Sequence, residues 1–130
     1  AADVVIKVAA VSDYRPVEVA SQKMKKQSDE LVVKMAKTED ILETLGKRKK
    51  HQVLVGFAAE TEELEKNAAE KLERKNLDMV VGNLIGAPGS GFEVNTNKMK
   101  LFFKDGHVDD LPVMDKDEAA HALLDRIVGL

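Results

Sequence analysis

Three consecutive segments decide the fold: Gln52-Val53-Leu54-Val55-Gly56-Phe57, the charged run from Glu62 to Asn76, and Asp78-Met79-Val80-Val81-Gly82-Asn83-Leu84. The outer two are short, apolar and rich in β-branched residues, as buried strands are, and the run between them has helical length. Strand, helix and strand at these lengths predict a βαβ unit with parallel strands and a right-handed crossover. Working outward, Val4-Val5-Ile6-Lys7-Val8 reads as another strand covered on both faces, and Leu31 to Met35 as a short one. Residues 11–29 read as a long loop, of a length that usually marks either a functional lid or a disordered segment. Thr38-Glu39-Asp40-Ile41 opens a helix, with the Thr38 hydroxyl as its cap, that should end near Gly46. Past Asn83, Gly86 to Gly91 forms a connector. Met99–Phe103 and His107–Pro112 flank the hairpin turn Lys104-Asp105-Gly106. Asp115 opens a final helix with Ala119, Leu123, Ile127, Ala120 and Leu124 on its buried stripe. The fold class is therefore α/β: a Rossmann-like three-layer arrangement with a mostly parallel sheet, plus a carboxyl-terminal hairpin and helix.

Bulk properties narrow the function. A chain of 130 residues makes a single domain, 1–130, able to bury roughly two thirds of its unfolded surface. Its net charge of -3 argues against nucleic acid and anionic membrane as partners, so an anionic ligand needs a local cationic patch. Cysteine is absent, which removes disulfides, thiolate nucleophiles and zinc-thiolate sites and suits a cytoplasmic protein. The longest apolar run, Val4 to Val11, is too short to cross a bilayer and is interrupted by Lys7. A chain that opens almost directly on a strand, without an initiator methionine, leads us to expect that the amino-terminal part of the domain is missing.

Candidate chemistry gathers where strands end. Ala9-Ala10-Val11-Ser12-Asp13-Tyr14-Arg15 runs from an apolar strand into polar residues at the carboxyl end of a parallel sheet, where α/β proteins place ligands. Asp13 there is either a turn former or a carboxylate for a phosphate-bound metal or a ribose. Lys23, Lys25 and Lys26 are either solvated charges or an arm that closes on a triphosphate. Phe57 is either a core side chain or a ring on the crevice lip able to stack on a base. Leu64, Ala68, Lys71 and Lys75 are spaced by four, three and four residues, so two lysines continue an apolar stripe. Their stems either snorkel from the helix or carry the charges to a ligand. A helix running back along the sheet would set those last turns well away from Phe57. Gly86-Ala87-Pro88-Gly89-Ser90-Gly91 lacks the lysine and hydroxyl of a Walker loop. His51, His107 and His121 have no partners at ligand spacing, so no protein metal site is expected.

Several of these segments resemble one family. Ala-Ala-Val-Ser-Asp-Tyr-Arg at 9–15, Lys-Met-Lys-Lys at 23–26, Val-Gly-Phe-Ala-Ala-Glu-Thr at 55–61 and the lysines before Asn76-Leu77-Asp78 are similar to phosphopantothenoylcysteine synthetase, the CTP-dependent bacterial phosphopantothenate–cysteine ligase. The resemblance implies a ligase of coenzyme A synthesis that joins 4'-phosphopantothenate to L-cysteine through an acyl-cytidylate. It implies CTP as substrate with Mg²⁺, Lys23 as the catalytic lysine, and nucleotide binding by Ala9, Ala10, Asp13, Lys23, Thr38, Glu39, Asp40, Ile41, Phe57, Lys71 and Lys75. At 38–41 the family usually shows Asn-Pro-Asp-Ile, of which Asp40 and Ile41 match. A homodimer, with the hairpin around Lys104 as its candidate surface, and a fused flavin-dependent decarboxylase are also implied. The family's glycine-rich amino-terminal segment and its acyl-stabilising asparagine have no counterpart here, so the chain alone is expected to bind CTP without full turnover. The competing reading is a nucleotide-binding or dimerisation module without catalysis. The ligase reading requires the Lys23 cation and the Phe57 ring to face one pocket.

Overall fold

The computed structural model describes residues 2–23, 25, 30–60, 63–84 and 95–130. In chain order the elements are β1 (Val4–Lys7), β2 (Tyr14–Pro16), β3 (Met35–Lys37), α1 (Ile41–Arg48), β4 (Val53–Glu60), α2 (Leu64–Arg74), β5 (Met79–Leu84), β6 (Thr96–Asn97), β7 (Met99–Phe103), β8 (Val108–Asp110), β9 (Met114–Asp115) and α3 (Lys116–Val128). The main sheet has the order β1-β4-β5-β7-β8. β4 is parallel to both β1 and β5, whereas β7 runs against β5 and β8 against β7. All but β7 therefore point the same way. This is the mixed α/β, mostly parallel architecture read from the βαβ segment, closed by the hairpin at Lys104–Gly106 and by the last helix.

Alternation along the strands divides the core into two layers. Leu54 and Ala58 of β4, Val80 of β5 and Phe102 of β7 join Leu42 of α1 and Leu64 and Ala68 of α2. Val55, Met79, Val81 and Leu101 face the other way and meet Ala119, Leu123 and Ile127 of α3. Ala120 and Leu124 fall off this stripe; Leu124 is 47% exposed, and its place is taken by half-buried Ala122. Asp115 caps α3 in a reciprocal box with Glu118. Gly106, at φ 89°, supplies the left-handed turn residue of the hairpin, whose second strand is shorter than its apolar pattern indicated.

Other expectations change. β1 lies at an edge of the sheet, with Val4 exposed, because a β-branched run looks alike in edge and central strands. Residues 11–29 contain a strand, β2, which pairs antiparallel with β3 in a separate ribbon: Tyr14 opposite Lys37 and Pro16 opposite Met35. Leu31 to Lys34 precede the ladder and are exposed. A second short ribbon, β6 with β9, leads into α3. The α1 cap is Asp40, whose side chain accepts from the Glu43 N–H; the Thr38 hydroxyl donates instead to the Ser12 carbonyl at 2.5 Å. Gly46 lies inside α1. A Cβ there would stand 1.9 Å from the Lys75 carbonyl oxygen, so this glycine permits α1 to touch the end of α2. The connector at 86–91 lies outside the described residues. No helix of the described residues is long and apolar enough to cross a membrane.

Candidate nucleotide site

The site begins where two neighbouring strands differ in length. β1 ends its pairing at Lys7 opposite Gly56, while β4 continues through Phe57 to Glu60 against β5 alone. After Lys7 the chain turns out through Val8 to Val11, leaving a cavity of about 280 Å³ at the carboxyl end of β1. Its opposite wall is the segment from Lys37 into the start of α1. Main-chain bonding holds the two walls together: the Thr38 N–H donates to the Asp13 carbonyl at 2.8 Å, beside the Thr38 hydroxyl bond to Ser12.

Ala9, Ala10, Asp13, Thr38, Glu39, Asp40, Ile41, Phe57, Lys71 and Lys75 all line this cavity. The distance expected between the end of α2 and Phe57 does not exist, because β4 extends three residues further than the apolar pattern suggested and Phe57 sits within it. Lys71 Nζ donates to the Phe57 carbonyl at 3.3 Å. Lys75 Nζ lies 2.7 Å from Asp40 Oδ2, with only 11% of its side chain exposed. Both lysines thus leave the apolar stripe to reach the cavity, their stems covered and their charges directed inward. Phe57 lines the cavity, and its half-buried side chain packs against the α3-side cluster. Lys23 is exposed and does not line the cavity; Lys25 is likewise exposed, and Lys26 lies outside the described residues. Lys7, Lys37, Leu42 and Ala59 also line the cavity and were missed. Lys7 did leave a signal, as the one charge interrupting an apolar strand.

Electrostatically the center of the site is Asp40. Burial pushes its carboxyl up, but the hydrogen bonds from Lys75 and the Glu43 N–H, with the Lys75 and Arg74 charges, outweigh that and hold it below the ordinary aspartate value. A carboxylate fixed in the charged state at a helix start can orient Lys75 without taking its proton. Asp13 and Glu39 stand on the same cavity, and one or two carboxylates beside a polyphosphate are the usual protein contribution to a Mg²⁺ site. Among the described residues no three acidic or histidine side chains cluster as a metal cage.

A larger hollow of about 460 Å³ lies at the amino ends of the strands, beside Lys49, His51, Asp78 and Lys104. Two of its cations are already engaged: Lys49 binds both Asp78 oxygens at 2.7 Å, and Lys104 donates to the Asn76 side chain at 3.2 Å, while the exposed Lys50 stands at its rim. It offers less to an anion than the cavity at the other end.

Comparison with known proteins agrees with the fold and the segment matches. The Bacillus subtilis coenzyme A biosynthesis bifunctional protein CoaBC is 48% identical over 130 residues, covering 100% of this chain and 32% of that protein. A cysteine/cysteine sulfinic acid decarboxylase from an unknown prokaryotic organism is 42% identical over 129 residues, covering 98% of this chain and 36% of that protein. The crystal structure of the carboxyl-terminal domain of a coenzyme A biosynthesis bifunctional protein CoaBC superposes with a TM-score of 0.75 at 41% identity, covering 96% of this chain and 53% of that one. The chain thus spans about a third of the curated relatives it matches. From residue 1 to residue 130 it matches the DNA/pantothenate metabolism flavoprotein C-terminal domain, and it belongs to that family.

Proposed function

We propose that this chain is the ligating domain of a coenzyme A biosynthetic enzyme, binding CTP and joining 4'-phosphopantothenate to L-cysteine. The reading is supported by one observation above all: apart from Lys23, every residue assigned to nucleotide binding lines one cavity at the carboxyl end of β1. The names of the relatives fit a role in coenzyme A biosynthesis. We assign the activity in the decarboxylase relative's name to the part of that protein outside the match, consistent with a fused decarboxylase partner.

In the first step a carboxylate oxygen of 4'-phosphopantothenate attacks the α-phosphorus of CTP, and the bond to the bridging oxygen breaks, releasing pyrophosphate. In the second, the cysteine nitrogen attacks the acyl carbon, CMP leaves with the acyl–oxygen electron pair, and the amine loses a proton. Both substrates of the first step are anionic, so the site must supply positive charge. Lys71 and Lys75 provide it from within the cavity, and Asp40 holds Lys75 in place. Phe57 packs beside the base, with the small Ala9 and Ala10 allowing main-chain approach. Asp13 would hold Mg²⁺, which when bound neutralises triphosphate charge. Lys23, outside the cavity, is the catalytic lysine that the matched Lys-Met-Lys-Lys segment implies.

Thermal-shift titration with CTP, ATP and UTP, with and without Mg²⁺, together with pyrophosphate release on adding both substrates, tests this. A CTP preference that Lys23→Gln weakens is the expected result. Equal shifts for all three nucleotides without pyrophosphate release would favor a non-catalytic binding module, the reading that Lys23's place outside the cavity keeps alive. Assembly as a homodimer in the cytoplasm completes the proposal, and light scattering checks the dimer.

A further inference from the structure

Lysines that are half-buried in this fold have partners. Lys49 pairs with Asp78 at 2.7 Å, Lys75 with Asp40 at 2.7 Å and Lys100 with Glu65 at 2.8 Å. Lys71 donates to a main-chain carbonyl. Lys7 is different. It is half-buried at the last position of β1, yet among the described residues no hydrogen bond or ion pair engages its ammonium. By alternation it shares a sheet face with Val5, which packs against the α1/α2 cluster, so its stem lies on apolar ground. Lysine is disfavored in strands, and a cation drawn partly out of water with no counter-charge costs free energy.

The cavity explains the exception. Lys7, Lys37, Lys71 and Lys75 line it against Asp13, Glu39 and Asp40, four cations to three acids, in a chain whose net charge is -3. Asp40 is already committed to Lys75, and the Glu39 carboxylate accepts from the Thr44 hydroxyl at 2.9 Å. With Lys75 and Asp40 paired, Lys7, Lys37 and Lys71 face Asp13 and Glu39, one positive charge in excess, for which an anion is the missing partner.

We propose that Lys7 is a further phosphate-contacting residue of the nucleotide site, its ammonium donating to a phosphoryl oxygen of the bound nucleoside triphosphate. This rests on the nucleotide reading above and adds to it a residue that no matched segment carried. Because Lys7 sits opposite Gly56, next to Phe57, its charge meets the phosphates of a nucleotide whose base lies along the β4 edge.

The test measures dissociation constants for CTP and for cytidine, with Mg²⁺, in the full-length protein carrying Lys7, Lys7→Met or Lys7→Arg. Loss of one charge-assisted bond predicts about tenfold weaker CTP binding in Lys7→Met. Cytidine affinity should change by less than about twofold, and Lys7→Arg should restore most of the CTP affinity. Unchanged CTP affinity in Lys7→Met overturns the proposal, as does a parallel loss of cytidine binding, which would mark a packing defect. A rise in KM for 4'-phosphopantothenate with CTP affinity intact would assign the contact to that substrate's phosphate and likewise overturn it. Failure of the unsubstituted protein to bind CTP at all would instead sink the nucleotide reading, and this inference with it.

Discussion

Two lysine–aspartate pairs, one at each end of the sheet, have the same chemistry and different uses. At the amino end Lys49 and Asp78 meet at 2.7 Å, and the carboxylate also accepts the Leu54 N–H at 2.7 Å while Lys49 donates to the Asn76 carbonyl at 3.1 Å. Every strong bond of that pair ends on the protein. At the carboxyl end Lys75 and Asp40 meet at the same distance, and Asp40 caps α1, but both line the cavity. Both pairs border a hollow, but the first spends its bonds on joining α1, β4 and β5, whereas the second leaves more of its carboxylate open, 36% against 23%. Ion-pair distance alone does not distinguish structure from function, whereas what else each partner touches does.

Asp78→Ala should have the largest effect, about 3 kcal/mol in urea unfolding, because it strands the Leu54 N–H and the nearly buried Lys49 ammonium together. A loss below about 1 kcal/mol would break the contrast by making this pair as dispensable as a surface one. Gly46→Ala comes next, at about 2 kcal/mol, since its methyl would collide with the Lys75 carbonyl. The same variant should weaken nucleotide binding by moving Lys75, so calorimetry on the folded fraction sharpens the comparison. Lys75→Met should cost about tenfold in CTP affinity and about 1 kcal/mol or less of stability, because Asp40 keeps its capping bond. Equal damage to folding and binding would mean that the Lys75–Asp40 pair is as structural as the Lys49–Asp78 one.

The smallest effect concerns acid. Asp40's carboxyl is held below its ordinary value, so the ionised form stabilises the fold. That stability is complete above the ordinary aspartate value near 4 and disappears as pH falls through the lower, folded-state value. Asp40→Asn, which still caps, should show a shallower decline in melting temperature over that acidic range than the unsubstituted chain.

How much could be read in advance differed by region for physical reasons. β4, α2 and β5 were legible because burial on both sides of a strand and on one side of a helix leaves distinct periods, and Asp105-Gly106 and Asp115 carry local turn and cap chemistry. β2 was not: three residues ending in proline hold no strand signal of their own, and their conformation is set by pairing with Met35–Lys37 some twenty residues away. The cap of α1 was misplaced because threonine and aspartate both cap; Asp40 stands directly before the helix, and a distant carbonyl engages Thr38. In the site, motif matches identified residues that strand alternation could not gather, and an apparent geometric conflict over Lys71 and Lys75 came only from ending β4 too early. Lys37 and Ala59 carried no local signal, since what makes them cavity residues is where β1 stops.

That mismatch in strand length has a cost of its own. From Phe57 to Glu60 the rim of β4 faces open space where another residue or two of β1 could have zipped on, each new ladder bond adding firmness. A variant that encouraged Val8, now 61% exposed, to continue the ladder would yield a tougher protein with its doorway shut. Access in this fold is a matter of where a strand is told to stop.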